Sequence, residues 1–256
     1  MTLRSIGQLT QANAFGELPR IGRAPHVTWR PILNDIVDQF RNSNADGTFS
    51  IALRGSAARG ASVEEAADLD LVVLLGESAT SMGQVQSNAA PEVSIETAYV
   101  PASDFLTHLD WVWMRFTLAH CGHTAFGHDH LSDLPEPGLG PHCVAHLRDA
   151  DRWLKQWKIY WDQDKDYLAI CEWLMKRIVR SLFESQLEQI NGYTRDIYPC
   201  AKVAIQAFPD LRGAILDAAE LAVAPVDDRE VISKICDELT PVLLTRQLEI
   251  KNNTHD

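Results

Sequence analysis

The stretch from Ile51 to Leu75 constrains the fold most, because it places a tight turn and two alternating carboxylates between two apolar runs. The first run ends at Gly55-Ser56, where small residues let backbone N–H groups approach a phosphate closely. Asp68 and Asp70 open the second run, and the two-residue period of a strand points both side chains to one face. Two carboxylates held this close favour a bound cation. The stretch therefore predicts an anion-binding turn beside a metal site.

Two simpler interpretations of the stretch compete with this one. The spacing from Gly55 to Gly60 is that of a P-loop, but no Lys-Ser or Lys-Thr follows Gly60 and no helical pattern begins there, which excludes Walker-type ATP binding. A lone Asp-x-Asp also occurs where a strand begins at a solvated loop. The combination of the Gly-Ser turn, Gly60 and the Asp-x-Asp pair is what favours a catalytic site.

At these residues the chain resembles the DNA polymerase β superfamily of nucleotidyltransferases, whose signature is Gly-Ser, a short loop and Asp-x-Asp. The helix-rich second half is most similar to the adenylyltransferases that modify aminoglycosides and to the minimal nucleotidyltransferases of bacteria. The resemblance implies an α/β plus α fold, with a small mixed β-sheet core followed by a C-terminal α-helical bundle. The matching residues are Gly55, Ser56, Gly60, Asp68 and Asp70.

The resemblance also implies a reaction. A nucleoside monophosphate, expected to be AMP from ATP, moves to a hydroxyl group and pyrophosphate is released. Asp68 and Asp70 would hold two Mg²⁺ ions, while Gly55 and Ser56 would grip the phosphates. A third carboxylate on a neighbouring strand is then required, because one ion must also hold the attacking hydroxyl.

Glu96 is the predicted third carboxylate. Residues 93–100 alternate as a strand does, and Glu96 lies in the middle of it, where it can pair beside Asp70. The alternative for Glu96 is an exposed glutamate on a one-sided sheet. Glu92 has the same parity and competes for the role, but it lies beside Pro91 at the start of the strand.

The composition limits which partners the protein is expected to bind and in which compartment it is expected to work. The 256 residues carry a net charge of −12, and the first 135 contain no lysine, which favours a small cationic acceptor over nucleic acid. Five scattered cysteines without a Cys-x-x-Cys pair indicate reduced, mostly buried thiols and a cytoplasmic protein. No apolar run has the length of a membrane span and no signal-peptide pattern is seen, so no membrane contact is expected.

Apolar spacing predicts helices on both sides of the strands. One begins near Thr28, with Pro31 in its first turn, and is broken by residues 42–47; another covers residues 105–118. The Pro/Gly-rich residues 134–141 predict a boundary between a nucleotidyltransferase domain, 1–135, and a helical closing domain, 142–256.

The second half is predicted to be helical throughout, with helices at 168–190, 200–222 and 228–250. Trp153, Trp157 and Trp161 recur every four residues, which predicts an interhelical core rather than a stacking platform. Lys176 and Arg180 are proposed to hold the triphosphate, with Arg195 as a further candidate, and the alternative for these residues is a solvated helix face.

Four histidines crowd into a short segment together with Cys121 and Asp129, which invites a zinc interpretation. Glycines at 122 and 127 interrupt the segment, and the spacing is not that of a structural zinc site, so an exposed connector is predicted instead. The histidines are His120, His123, His128 and His130.

Two other functions stay open. One is nucleotidyl transfer onto a tRNA or a partner protein, as in the minimal nucleotidyltransferases linked to toxin–antitoxin pairs, and a basic patch would favour it. The other is a nucleotide-binding module without turnover, against which the intact Ser56, Asp68 and Asp70 weigh. The sequence does not indicate an oligomeric state.

Overall fold

A computed structural model describes residues 7–44, 47–66, 68–163 and 166–253. The strands are β1 (Thr10–Gln11), β2 (Phe49–Leu53), β3 (Asp68–Leu75), β4 (Ser94–Pro101), β5 (His123–Phe126) and β6 (Gly192–Tyr193). The α-helices are α1 (Arg30–Ser43), α2 (Ala102–Thr107), α3 (Val112–Cys121), α4 (Ala145–Arg148), α5 (Ala150–Gln163), α6 (Tyr167–Glu184), α7 (Leu187–Ile190), α8 (Ile197–Ala207), α9 (Arg212–Leu221) and α10 (Arg229–Asn253). The 3-10 turns are Val27–Trp29, Ala57–Arg59, Leu109–Trp111, Pro141–Val144 and Pro209–Leu211.

The chain divides into two compact units. The sheet unit is Glu17–Gly138, and the helical unit comprises Leu139 onward together with the segment that ends at Gly16. That segment joins the helical unit through β1, which pairs antiparallel with β6. The ranges 1–135 and 142–256 remain predictions as functional domains, and they differ from these units in the placement of the first residues.

The sheet unit is built on a mixed sheet with the strand order β4-β3-β2-β5. Strands β3 and β4 are parallel, whereas β2 pairs antiparallel with both β3 and β5. The small mixed sheet expected from the sequence is therefore confirmed.

Strand alternation gives this sheet two apolar faces. On one face, Leu71 and Val73 of β3 pack with Ile36 and Phe40 of α1. On the other, Val72 and Leu74 pack with Phe105 of α2 and with residues of α3. Both faces of β3 are thus covered from Leu71 onward, and its two aspartates stand before the covered part.

Helix α1 forms as its apolar spacing predicts. It follows the 3-10 turn Val27–Trp29, carries Pro31 in its first turn, and ends at Ser43. Its buried side chains recur at helical spacing, with two adjacent residues followed by steps of three and four, and they form the stripe that faces the sheet. They are Ile32, Leu33, Ile36 and Phe40.

The predicted helix at 105–118 is wrong as a single element, because His108 is extended and separates α2 from α3. The Arg115 guanidinium donates to the carbonyls of Phe105 at 2.7 Å and His108 at 2.8 Å, which holds the break. Apolar periodicity does not carry this information, since the contact involves a polar side chain that binds the backbone.

The helical unit buries α6 against α4, α5, α8 and α9. Trp153, Trp157 and Trp161 are all buried, so the predicted interhelical core is confirmed. The predicted helix 168–190 is divided into α6 and α7, and Asn191 ends it in the left-handed region at φ 42°. The range 200–222 is likewise divided, at Pro209, into α8 and α9.

The five cysteines are free and buried, as predicted. Burial raises the pKa of Cys143, Cys200 and Cys236 to about 12, so these thiols stay protonated at neutral pH. Among the described residues, no helix combines the length and apolar character that a bilayer crossing requires.

Phe40 tests the packing of α1 on the sheet. Its ring is fully buried, with centroids 5.5 Å from Phe49 and 6.0 Å from Tyr99. We expect Phe40→Ala to lower the free energy of unfolding by about 3–5 kcal/mol in urea titrations, because it leaves a cavity. Asn42→Ala, on the exposed face of the same helix, is the control and should change stability by less than about 0.5 kcal/mol. Equal losses in the two variants would contradict this packing.

Candidate active site

The register of β3 and β4 brings the predicted carboxylates together. Asp70 pairs with Glu96, and Asp68 pairs with Ser94 two residues earlier. Aligned residues of parallel strands point to the same side of a sheet, so Asp68, Asp70 and Glu96 share one face. This is the face that α2 and α3 cover further along the strand, from Val72 onward. The carboxylates thus form a polar patch at the start of an otherwise aliphatic face.

Glu96 occupies the position that the sequence predicts for it, in the middle of β4 and exposed. Glu92 is also exposed but precedes the strand, so the register with β3 does not reach it. The pairing with Asp70 therefore distinguishes Glu96 from Glu92.

Gly55 lies directly against the Asp70 carboxylate. Its φ is +71°, and a Cβ built at this position would stand 2.3 Å from Oδ2 of Asp70. The preceding residue, Arg54, donates its backbone N–H to the Asp70 carbonyl at 3.1 Å. Only glycine combines this backbone conformation with so close an approach, so the turn and the carboxylate are fixed relative to each other.

The loop after Gly55 is a short, anchored turn. The Ser56 carbonyl accepts from the N–H groups of Arg59 at 3.0 Å and Ala61 at 3.1 Å, and Gly60 ends the turn at φ +94°. Trp29 of the preceding 3-10 turn donates its indole N–H to the Ala61 carbonyl at 2.8 Å. The Ser56 hydroxyl makes no capping hydrogen bond to this turn.

Arg54 is a site residue that the sequence reasoning missed. Its guanidinium Nη2 lies 3.0 Å from Oδ1 of Asp70, and the two side chains are 23% and 20% exposed. Its Nε is buried and has no hydrogen-bond partner in the part of the chain that the structure describes. The available signal was an arginine directly after an apolar strand and directly before Gly-Ser. It places a fixed positive charge beside the carboxylates.

The three predicted phosphate-binding residues lie in the helical unit, and they differ in surroundings. Lys176 forms an ion pair with Glu172 one helical turn earlier. Arg180 donates from Nε to the Arg195 carbonyl at 3.1 Å. Burial, and then the charge of Arg195, lower the pKa of Arg180 to about 9, which still leaves it charged at neutral pH. Arg180 and Arg195 are thus together, while Lys176 has its own partner.

A buried hydrogen-bonded pair, His146 and Glu184, adjoins Arg195. His146 Nδ1 lies 2.7 Å from Oε1 of Glu184, whose other oxygen accepts from the backbone N–H of Leu147 at 2.8 Å. Arg195 Nη1 is 3.3 Å from Nδ1 of the same imidazole. Burial lowers the pKa of His146 although Glu184 opposes that shift. This network fixes the Arg195 side chain, and the sequence reasoning did not find it.

Arg177 belongs to the same cationic cluster. Burial, followed by the charge of Arg195, lowers the pKa of Arg177, which shows that the two guanidinium groups are close enough to repel each other. We call Arg177, Arg180 and Arg195 the arginine cluster. Arg177 lies on α6 between Lys176 and Arg180, which were proposed from the sequence as phosphate-binding residues.

The histidine-rich segment does not form the single site that its composition suggests. His120 is buried, with Nδ1 2.7 Å from the Pro19 carbonyl, and the Cys121 thiol donates to the Thr117 carbonyl. His123 lies on β5, so the prediction of an exposed connector is wrong for residues 123–126, which pair with β2. The strand was missed because its partner lies far away in sequence. His128 and His130 follow it in an exposed turn.

The sequence matches no known family model and no curated protein sequence. The fold is similar to a solved structure, the spectinomycin adenyltransferase AAD(9) from Enterococcus faecialis with ATP and spectinomycin. The TM-score is 0.54 at 14% identity, over 83% of this chain and 99% of the other. The resemblance to aminoglycoside adenylyltransferases, expected from the Gly-Ser and Asp-x-Asp pattern, is thereby confirmed at the level of the fold.

Gly55 and Gly60 offer a matched test of the site geometry. Both have positive φ, so alanine at either position carries a strain of about 1–2 kcal/mol. A Cβ at Gly60 meets nothing within 4 Å, whereas at Gly55 it displaces the Asp70 carboxylate. With a non-hydrolysable ATP analogue present, we expect Gly55→Ala to weaken Mn²⁺ binding at least about tenfold, as measured by electron paramagnetic resonance. Gly60→Ala should leave Mn²⁺ affinity unchanged, and equal affinities in both variants would contradict the proposed contact.

Proposed function

We propose that this chain is a Mg²⁺-dependent nucleotidyltransferase that moves AMP from ATP to a hydroxyl group of a small-molecule acceptor and releases pyrophosphate. The observation that carries the proposal is the register that sets Glu96 beside Asp70, next to a glycine turn with no room for a side chain. The fold likeness to an adenyltransferase solved with ATP and spectinomycin supports the same reaction class.

The residues present fit a pair of Mg²⁺ ions. Mg²⁺ prefers oxygen ligands and is held by a few carboxylates together with substrate phosphates. Asp68, Asp70 and Glu96 supply such oxygens from adjacent strands on one face of the sheet. Asp68 and Asp70 would hold both ions, and Glu96 would complete the site nearest the acceptor. When bound, the ions would neutralise the phosphate charge and make the acceptor hydroxyl more acidic.

The protein groups have separate tasks in this reaction. The backbone N–H groups of the turn at Gly55 and the Ser56 hydroxyl would bind the phosphates that leave as pyrophosphate. Glu96 would accept the hydroxyl proton. The acceptor oxygen then bonds to the α-phosphorus, and the bond from that phosphorus to the bridging oxygen of pyrophosphate breaks. The proton leaves Glu96 to solvent after transfer.

Arg54 adds a binding role that the carboxylates cannot fill. Its Nε donor is buried without a partner among the described residues, which is costly unless a ligand accepts from it. Its Nη2 meanwhile contacts Asp70. We propose that a phosphate oxygen of ATP accepts from Arg54, so that the guanidinium links the nucleotide to a metal ligand.

The helical unit contributes the second proposed group of phosphate ligands. Arg180 and Arg195 lie together with Arg177, and burial, followed by repulsion from the charge of Arg195, lowers the pKa of Arg177 and Arg180. An anionic ligand would relieve that repulsion, which favours these arginines as triphosphate contacts. Lys176 was proposed for the same role, but its ion pair with Glu172 makes it the weaker candidate.

The net charge of −12 favours a small cationic acceptor over a polynucleotide. The similar adenyltransferase was solved with spectinomycin, which is therefore the first acceptor to test. Other cationic compounds with hydroxyl groups follow, and tRNA and protein acceptors serve as the alternatives.

Nucleotidyl transfer is tested with ATP labelled at the α-phosphate, Mg²⁺ and the full chain. We expect pyrophosphate release and a small-molecule product heavier by AMP, detected by mass spectrometry. Asp70→Asn should lower the rate on the order of a thousandfold, because one shared metal ligand is worth several kcal/mol of barrier. Glu77→Gln, which removes an exposed carboxylate beyond the other end of β3, is the control and should retain the wild-type rate.

Near-native turnover of the folded Asp70→Asn variant would overturn the proposed site. Label found only on tRNA or protein would overturn the small-molecule assignment while preserving nucleotidyl transfer. A chain that binds ATP without releasing pyrophosphate in any of these assays would be a binding module.

A second pair of variants tests whether Glu96 or Glu92 is the third carboxylate. Glu96→Gln should lower kcat much more than it weakens ATP binding, since its carboxylate acts on the attacking oxygen. Glu92→Gln should have a mild effect, because Glu92 lies outside the register with β3. Steady-state kinetics with varied ATP and acceptor give both parameters. A larger effect of Glu92→Gln would move the third carboxylate to Glu92.

A further inference from the structure

Three metal-ligating side chains meet in the exposed turn after β5. His128, His130 and Asp133 each offer one ligand atom, and these atoms all lie within 4.8 Å of one another. We call them the His-His-Asp cluster. The imidazole rings of His128 and His130 have centroids 4.5 Å apart and cross at 84°. The cluster belongs to neither the carboxylate patch nor the arginine cluster.

The spacing of the cluster suits a bound ion. Ligand atoms placed about 2.0–2.1 Å from a tetrahedral zinc ion are roughly 3.4 Å from one another. Nε2 of His128 and Oδ2 of Asp133 are already 3.4 Å apart. Because no separation in the cluster exceeds 4.8 Å, small side-chain rotations suffice to bring the third ligand to the same distance.

Asp129 holds the conformation of this turn through hydrogen bonds. Its side chain accepts from the Thr124 hydroxyl on β5 and from the backbone N–H of Leu131 at 3.2 Å. Its carbonyl accepts from the Ser132 hydroxyl at 2.8 Å. Asp129 is therefore occupied in shaping the turn, which leaves Asp133 as the carboxylate ligand.

Arg20 and the apolar core hold the other side of the turn. The Arg20 guanidinium donates to the carbonyls of Leu131 at 2.8 Å and Pro135 at 3.2 Å, on either side of Asp133. Leu131 and Leu134 are buried in the core beneath α3. The three ligands thus lie on a segment whose backbone is held in place without a metal. Binding an ion would therefore cost little conformational entropy, because the loop is already ordered.

We propose that His128, His130 and Asp133 bind one divalent transition metal ion, with zinc as the best match to the ligand set. Two imidazoles and one carboxylate suit zinc, whereas oxygen-only sets suit Mg²⁺. Three protein ligands leave a fourth position for water or another ligand.

The ion would be separate from the proposed catalytic metals. His128 and His130 line a cavity of about 590 Å³ together with Ser50, Leu74 and Gly76. Leu74 lies near the end of β3 opposite Asp68, and Gly76 follows that end. Leu74 is four residues from Asp70, the nearer aspartate, which is roughly 13 Å along a strand. Zinc binding and nucleotidyl transfer can therefore be measured independently.

The test uses the full chain, freed of metal with a chelator and kept in a large excess of Mg²⁺ that competes with Zn²⁺ for the proposed carboxylate site. Calorimetric titration with Zn²⁺ should show one saturable site per chain. His130→Asn and Asp133→Asn should each weaken Zn²⁺ binding at least about tenfold, since loss of a direct ligand costs no less than loss of a supporting contact. His108→Asn, an exposed histidine of the sheet unit, is the control and should bind Zn²⁺ as the wild type does.

Co²⁺ gives a second readout, because its visible absorption reports coordination geometry. Intense absorption that His130→Asn abolishes and His108→Asn retains would support the site. Circular dichroism checks that each variant is folded. The proposal is overturned if the wild type shows no saturable Zn²⁺ binding, or if the affinity is the same in His130→Asn, Asp133→Asn and the wild type.

Discussion

The contact between the Gly55 backbone and the Asp70 carboxylate is the constraint on which the candidate active site depends. Strand β2 pairs with β3 along its length and ends at Leu53. Two residues further on, a side chain at Gly55 would occupy the space of Oδ2 of Asp70. The same close approach places the Arg54 guanidinium next to Oδ1 of the Asp70 carboxylate. A single glycine therefore sets the distances among the proposed phosphate-binding turn, the Arg54 guanidinium and a proposed metal ligand, so these groups are in place before any ligand binds.

The sheet shows how an active site can share a strand with the core. Alternation gives β3 aliphatic side chains on both faces, and these pack under α1 and under α2 and α3. Asp68 and Asp70 take the first two positions on one face, before Val72 begins the buried part. The apolar remainder of the strand supplies the burial that fixes the aspartates in place. The strand pairing, the turn at Gly55 and the Arg54 guanidinium together hold Asp70 in place.

The sequence predicted what depends on local pattern. The period of β3 and β4 indicated which carboxylates share a face, helical spacing placed α1, and the tryptophan stripe indicated a core. What it could not predict depends on contacts that a periodic pattern does not encode: β5 pairs with the distant strand β2, and the Arg115 side chain breaks a helix by binding backbone carbonyls. Arg54 was missed for the same reason, since its role follows from a contact with Asp70. Only glycine fits at position 55, because a Cβ there would clash with the Asp70 carboxylate. The role of Arg54, in contrast, follows from its contact with Asp70.

The two proposed metal sites lie at opposite ends of the same sheet and differ in the type of ligand. At one end, β3 and β4 align three carboxylates, an oxygen-only set that leaves room for phosphate oxygens and favours Mg²⁺. At the other end, the turn after β5 joins two imidazoles to Asp133, a set that favours zinc. Ligand chemistry distinguishes the two proposed sites in one direction: imidazoles gain little from Mg²⁺, whereas zinc accepts both imidazole and carboxylate ligands. Excess Mg²⁺ can therefore fill the proposed carboxylate site while it leaves the two imidazoles to a softer ion such as zinc.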